Sequence, residues 1–127
     1  MQAVDDATRM GFVYFLRTKD EVRDKIGLLI DQTRRLDLSI KIIRCDGAGE
    51  NTRHLQDIAR ENGIQMEFTS PYTPQMNGVV ERRIAVLKTR SQAMLNQADL
   101  SLGLRNKLWS EAVRCANVLE NISSTRA

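Results

Sequence analysis

Strand and helix patterns follow one another along this chain in the order β-β-α-β-α-β-α-α, which restricts it to a mixed sheet with helices packed on it. Residues 2 to 5 and 11 to 17 (GFVYFLR) are β-branched, aromatic or alternating, with a turn near Ala7 to Arg9, and read as a hairpin. Residues 20 to 36 set Val22, Ile26, Leu29, Ile30 and Leu36 near helical spacing. Asp20 and Glu21 stand at the start, Arg34 and Arg35 at the end, as the helix dipole favours. Ile40 to Cys45 is a buried strand, Thr52 to Asn62 a short helix closed by Gly63, and Ile64 to Thr69 a further strand. Two long helices follow. One, about Gly78 to Gln97, carries Val80, Ile84, Leu87, Ser91 and Met94 down one stripe; the other, about Leu104 to Ile122, buries Leu108, Trp109, Ala112, Val113, Ala116 and Leu119.

A chain of 127 residues at 42% hydrophobic composition is the size of one domain with a core of its own. No run approaches the roughly 18 apolar residues of a membrane helix, and MQAVDDATRM has neither the basic nor the apolar part of a secretory signal, so a nuclear or cytoplasmic setting is expected. Cys45, Cys115 and the single histidine, His54, argue for neither a zinc site nor a disulfide framework. The net charge of +3 is unevenly spread: residues 81 to 127 hold eight Lys/Arg against four Asp/Glu, whereas residues 1 to 80 hold eleven against twelve. ERRIAVLKTR can therefore track a phosphate backbone, or be an ordinary solvated helix face.

Two acids stand out, with thirty-four residues between them. Asp46 ends the apolar run of IKIIRCDGAGE, and Glu81 enters the first turn of a helix after the Pro/Gly loop of SPYTPQMNGVVERR. Such a pair suggests a divalent metal site acting on nucleic acid, because magnesium takes hard oxygen ligands and phosphate oxygens complete its shell. Each part has a plain structural reading beside the functional one. Asp46-Gly47 can be a turn; Gly47, Ala48 and Gly49 otherwise leave room for a bulky substrate. Glu50 is a second carboxylate or a favourable charge at a helix start. Tyr72, Gln75 and Asn77 can stack on or bond to a base or sugar, or be a surface tyrosine and an N-cap. His54 reads as a surface histidine, Cys45 as inward-facing, and Met10, Met66, Met76 and Met94 as core or loop filler. Asn121-Ile122-Ser123 matches a glycosylation sequon but is set aside without a secretory signal.

VDDATRMGFVYFLRTKDEV, IKIIRCDGAGE, ENGI, SPYTPQMNGVVERR and LWSEAVRCAN, in this order and spacing, resemble the integrase catalytic core of copia-type long-terminal-repeat retrotransposons, a relative of the retroviral integrases. The resemblance covers nearly the whole chain. It implies a ribonuclease-H-like α/β fold and an active site of two aspartates and one glutamate with two magnesium (or manganese) ions, held about 3.5 to 4 Å apart. Asp46 matches the second aspartate and Glu81 the glutamate, as catalytic and metal-binding residues. Tyr72, Gln75 and Asn77 match loop positions that meet DNA ends, Lys88, two turns beyond Glu81, is placed for a phosphate, and Arg82 is expected to bind DNA with them. The implied chemistry is in-line attack on phosphodiesters: water trims the element's end, and the freed 3′-hydroxyl then attacks target DNA. The implied partners are element ends, target duplex and, in the full-length parent, further copies of the chain.

Three departures qualify the resemblance. Gly47, Ala48, Gly49 and Glu50 replace the usual Asn-Gly-Gly-Glu, and the span from Asp46 to Glu81 is one residue shorter than usual. The strand bearing the family's first aspartate is matched by no segment, so residues 1 to 127 are expected to be a partial core beginning at the second strand. A decayed gene, an internal start at Met1 and a piece of a longer polyprotein are the three expectations for that. Asp5 and Asp6 align with the end of the second strand and are not counted as ligands. Without the acid that bridges both metals, these residues alone are expected not to catalyse strand transfer, and open strand edges are expected in the core. The alternatives are a catalytically silent nucleic-acid-binding or partner-binding module and a hydrolytic nuclease of the same fold.

Overall fold

The expected order of elements is the one observed in the computed structural model, which describes residues 1 to 46, 52 to 69 and 78 to 123, the side chains of Asp46, Thr52, His54 and Thr69 excepted. The chain divides into two compact units, Met1–Phe15 with Gly78–Ala127, and Leu16–Asn77.

In the first unit β1 (Gln2–Val4) pairs antiparallel with β2 (Gly11–Val13), Gln2 opposite Val13 and Val4 opposite Gly11. Pairing continues to Met1, whose N donates to Tyr14 O at 2.6 Å. The turn is made by Asp5, whose Oδ2 accepts the Thr8 N–H at 2.7 Å and the Thr8 hydroxyl at 2.6 Å, and by Arg9 in the left-handed region at φ 62°. The second strand is shorter than residues 11 to 17. By Arg17 the backbone N–H is taken by the Glu21 carboxylate at 3.1 Å rather than by a strand partner.

Helix α3 (Gly78–Gln97) packs on α4 (Leu102–Ser123), and the two helices meet the hairpin through β1 and β2 respectively. Both expected stripes need correction. On α3 the buried residues are Arg83, Leu87 and Ser91, while Ile84 is half exposed. On α4 only Ala112 and Ala116 are buried among the described residues, and Leu108, Trp109 and Leu119 face solvent over 39%, 51% and 45% of their surface. The buried line of α4 is thus made of small side chains, and the larger ones lie to its sides. Trp109 still meets Phe15 edge-on, with ring centroids 5.0 Å apart, and Arg114 lies over the same Phe15 ring.

In the second unit a 3-10 turn (Lys19–Glu21) leads into α1 (Val22–Arg34), which buries Ile26, Leu29 and Ile30. Leu36, expected on that stripe, lies beyond the helix end and is exposed. Strand β3 (Ile42–Asp46), helix α2 (Thr52–Glu61) and strand β4 (Gln65–Thr69) form a crossover whose strands pair in parallel, Ile42 opposite Gln65 and Asp46 opposite Thr69. Gly63 closes α2 as expected, at φ +66°, and Ile64 N–H reaches back to Ala59 O at 2.8 Å. The core joins Ile26, Leu29 and Ile30 to Ile58, Ala59 and Ile64.

The architecture is α/β, with parallel and antiparallel pairing both present. The single mixed sheet is not formed among the described residues: β1-β2 and β3-β4 are separate two-stranded sheets, so each described strand keeps one unpaired edge. Among the described residues no helix is long and apolar enough to cross a membrane.

Candidate metal and nucleic-acid site

Asp46 is the last residue of β3, at the carboxyl end of a parallel strand pair. Ligands of open α/β sheets gather outside that end, so a carboxylate there is well placed to meet one. The Asp46 side chain lies outside the described residues, as do Gly47, Ala48, Gly49 and Glu50.

Glu81 is in the first turn of α3, where the unpaired N–H groups and the dipole favour negative charge. Its side chain is exposed and makes no hydrogen bond or ion pair with the described residues. Carboxylate oxygens are the hard donors that magnesium takes, so this donor set fits a divalent cation in kind. Among the described residues, no three His, Cys, Asp or Glu side chains are grouped to hold a metal.

Helix α3 also brings Arg82 and Lys88 to the solvent side that carries Glu81, Lys88 seven residues on and therefore on nearly the same face. Both are exposed, and neither is paired with an acid among the described residues. The loop residues Tyr72, Gln75 and Asn77 lie outside the described residues. Asp5, by contrast, has its Oδ2 engaged by Thr8, which holds its carboxyl below the usual range. An open groove of about 390 Å³ in the second unit, lined by Gln56, Ala59, Arg60, Ile64, Met66 and Phe68, includes none of the candidate residues.

The residue that sequence reasoning passed over is Arg83. Its Nη1 donates to Arg9 O at 2.9 Å, and its Nη2 to Asn117 Oδ1 at 3.1 Å and to Asn121 Oδ1. Both asparagines return to the hairpin: Asn117 Nδ2 and Asn121 Nδ2 donate to Gly11 O at 2.9 and 3.0 Å, and Asn121 Oδ1 accepts the Gly11 N–H at 2.8 Å. A Cβ on Gly11 would sit 2.5 Å from Arg83 Nε, so any other residue there would have to push this guanidinium aside. Burial pushes the Arg83 pKa down, with Glu120 opposing that and Arg90 adding to it. Spacing gave no signal that separates the two: Arg83 is three residues after Val80 and four before Leu87, Ile84 four after and three before, and both are stripe positions.

No protein-family model matches this chain. It is 37% identical over 124 residues to the retrovirus-related Pol polyprotein from transposon TNT 1-94 of Nicotiana tabacum, an alignment covering 94% of this chain and 9% of that protein. It is 34% identical over 86 residues to the Pro-Pol polyprotein of simian foamy virus type 1, across 67% of this chain and 7% of the relative. The likeness is to retroelement Pol polyproteins. A third match, to the Pro-Pol polyprotein of simian foamy virus type 3 (strain LK3), is 43% identical over 49 residues, 38% of this chain and 4% of that protein. The chain thus spans less than a tenth of the length of the curated relatives it matches, and its origin in a retroelement Pol region is supported by both the transposon and the viral proteins.

Proposed function

We propose that this chain is part of a copia-type integrase catalytic core with a ribonuclease-H-like fold, whose parent inserts retrotransposon DNA into target DNA by metal-dependent polynucleotidyl transfer. The observation that carries the proposal is the station of the two acids, Asp46 at the carboxyl end of a parallel strand and Glu81 in the first turn of α3, exposed and tied to no described residue. Likeness to the transposon Pol polyprotein over almost the whole chain supports it. Asp46 and Glu81 would hold Mg²⁺ or Mn²⁺, which when bound supplies activation of the attacking oxygen and charge relief at the leaving one. The chain's own residues bind and orient. Arg82 and Lys88 neutralise phosphates of the element end or the target duplex, and Tyr72, Gln75 and Asn77 supply stacking and hydrogen bonds to nucleotides. Homo-oligomeric assembly of the parent and a nuclear or cytoplasmic setting belong to the same proposal.

Mn²⁺ titration of the 127-residue chain tests it. Asp46→Asn and Glu81→Gln should each weaken binding by about tenfold or more, since each removes an anionic oxygen ligand. Unchanged affinity in both variants overturns the site. In a magnesium-dependent joining assay these residues alone should give no product; a product abolished by Asp46→Asn would show that the third acid is dispensable.

A second reading, a nucleic-acid-binding module without catalysis, is favoured by the exposed and unpaired state of Arg82 and Lys88 among the described residues. Duplex DNA titrated at two salt concentrations should bind more weakly at the higher one, and Lys88→Ala should lower the salt slope by about one. Binding without metal uptake selects this second reading, and cleavage without joining selects a nuclease.

A further inference from the structure

The first turn of a helix is its least secure part, because its N–H groups have no partner within the helix. Glu81 belongs to that turn of α3, and its side chain is tied to no described residue. Its carboxylate therefore goes where the backbone of the turn goes. A metal-binding carboxylate has to be held to roughly 0.5 Å, so something further along the helix must fix that backbone.

The first buried side chain of α3 is Arg83, only 7% exposed and ahead of Leu87 and Ser91. Two residues along a helix is a rotation of about 200°, so Glu81 points outward where Arg83 points inward. The planar guanidinium meets acceptors on the hairpin (Arg9 O) and on α4 (Asn117 and Asn121), and the hollow at Gly11 is cut to its shape. An apolar side chain in that place could slide along its neighbours. A fork bonded in three directions cannot, because a shift of about 1 Å takes such bonds out of range. Its Nε is buried with no hydrogen-bond partner among the described residues, a loss of stability that an apolar stripe would not incur.

We infer that Arg83, with Gly11 making room for it, is a positioning residue for Glu81: it fastens the opening turns of α3 to the hairpin and to α4, and so holds the carboxylate in place for the cation. The inference rests on the metal-site reading above.

Amide hydrogen exchange tests it directly. The amides of residues 82 to 85 bond to the carbonyls of residues 78 to 81 and report opening of the first turn, whereas those of residues 91 to 95 report the middle of the same helix. Arg83→Met and Gly11→Ala should each speed exchange about tenfold at residues 82 to 85 and no more than about twofold at 91 to 95. They should also weaken Mn²⁺ binding by about tenfold, while Leu87→Ala, which loosens the same helix through its apolar contacts, changes it by less than about twofold. Exchange that rises evenly along α3, or not at all, overturns the inference, as does a Leu87→Ala loss of affinity equal to that of Arg83→Met. If Arg83→Met does not fold, Gly11→Ala carries the test, since it keeps every polar group and only displaces the guanidinium. Absence of Mn²⁺ uptake by the unaltered chain overturns the metal-site reading, and the exchange pattern then decides by itself whether Arg83 holds the turn.

Discussion

Both units bury apolar side chains, Leu87, Ala112 and Ala116 in one and an isoleucine-leucine set in the other, but only one of them also buries an arginine among hydrogen-bond partners. The Leu16–Asn77 unit closes over Ile26, Leu29, Ile30, Ile58, Ala59 and Ile64, and its buried Thr33 bonds its own helix at Ile30 O, 2.9 Å away. The unit made of Met1–Phe15 and Gly78–Ala127 surrounds Gly11 with Arg83, Asn117 and Asn121, whose bonds join residues 74 and 110 apart in sequence. Apolar contact is non-directional and rewards burial wherever it occurs, so the first arrangement gives cohesion with latitude. Directional bonds between distant segments give one register and little latitude. The unit with the polar centre is the one that carries Glu81, Arg82 and Lys88.

Removing packing should hurt most. Ile30 is 4% exposed, and Ile30→Ala leaves a cavity in the apolar unit; a loss of about 3 kcal/mol in urea unfolding is expected. A loss under about 1 kcal/mol would mean that the apolar core collapses around the gap. Asn121→Ala tests the opposite unit. It strips the Gly11 N–H of its acceptor and Arg83 of one of three, while Gly11 O keeps Asn117. About 2 kcal/mol is expected, with faster exchange at the Gly11 amide as the specific sign. A neutral result would mean that water replaces the asparagine and that the polar centre contributes no directional constraint.

Most of this contrast can be read in the sequence only after the fact. The order of elements was legible because its signals are local: period-two runs for strands, period-3.6 stripes for helices, and Gly63 where a helix has to end. Asp46 at a strand end and Glu81 in a first helical turn were legible for the same reason. Arg83 was not, because a stripe drawn through apolar residues passes over an arginine and selects Ile84, and the partners that make the arginine buriable lie on other elements. The outward Leu108, Trp109 and Leu119 were misjudged for a related reason. Apolar residues surround much of α4, and only its packing against α3 and the hairpin decides that the line of Ala112 and Ala116 is the one covered. Gly11 held the best unread clue, a glycine inside a strand, which marks a close approach by another group.

A smaller effect sharpens the comparison within the apolar unit. Gly63 sits at φ +66° with nothing within 4 Å of a Cβ built on it, so Gly63→Ala meets backbone strain and no collision. About 1 kcal/mol is expected from urea unfolding, without the local exchange signature predicted for Gly11→Ala. Two glycines would then separate cleanly, one retained for its dihedral angle and the other for the space it leaves.

The smallest expected effect belongs to Asp5, at the turn of the hairpin that Arg83 grips. The Thr8 hydroxyl, then the Thr8 backbone N–H, lower its pKa from the usual 3.8; partial burial opposes them and Arg9 assists. A carboxyl whose folded pKa lies below its unfolded one stabilises the fold fully above the unfolded value, and that contribution disappears as pH falls through the folded value. The hairpin should therefore lose a little stability as pH falls below the usual 3.8 and through the lowered value, and Asp5→Asn, which has no proton to gain, should remove that part of the acid dependence while leaving the rest. Because Asp5 is exposed, solvent screening keeps the difference small, so a hairpin amide such as Thr8 N–H is a better reporter than global unfolding. An acid response at Thr8 that is identical in the variant would place the strength of the turn in its backbone bonds, Asp5 N–H to Met10 O and Arg9 N–H to Asp5 O, both 2.9 Å, and would leave Arg83 holding a turn that is already rigid.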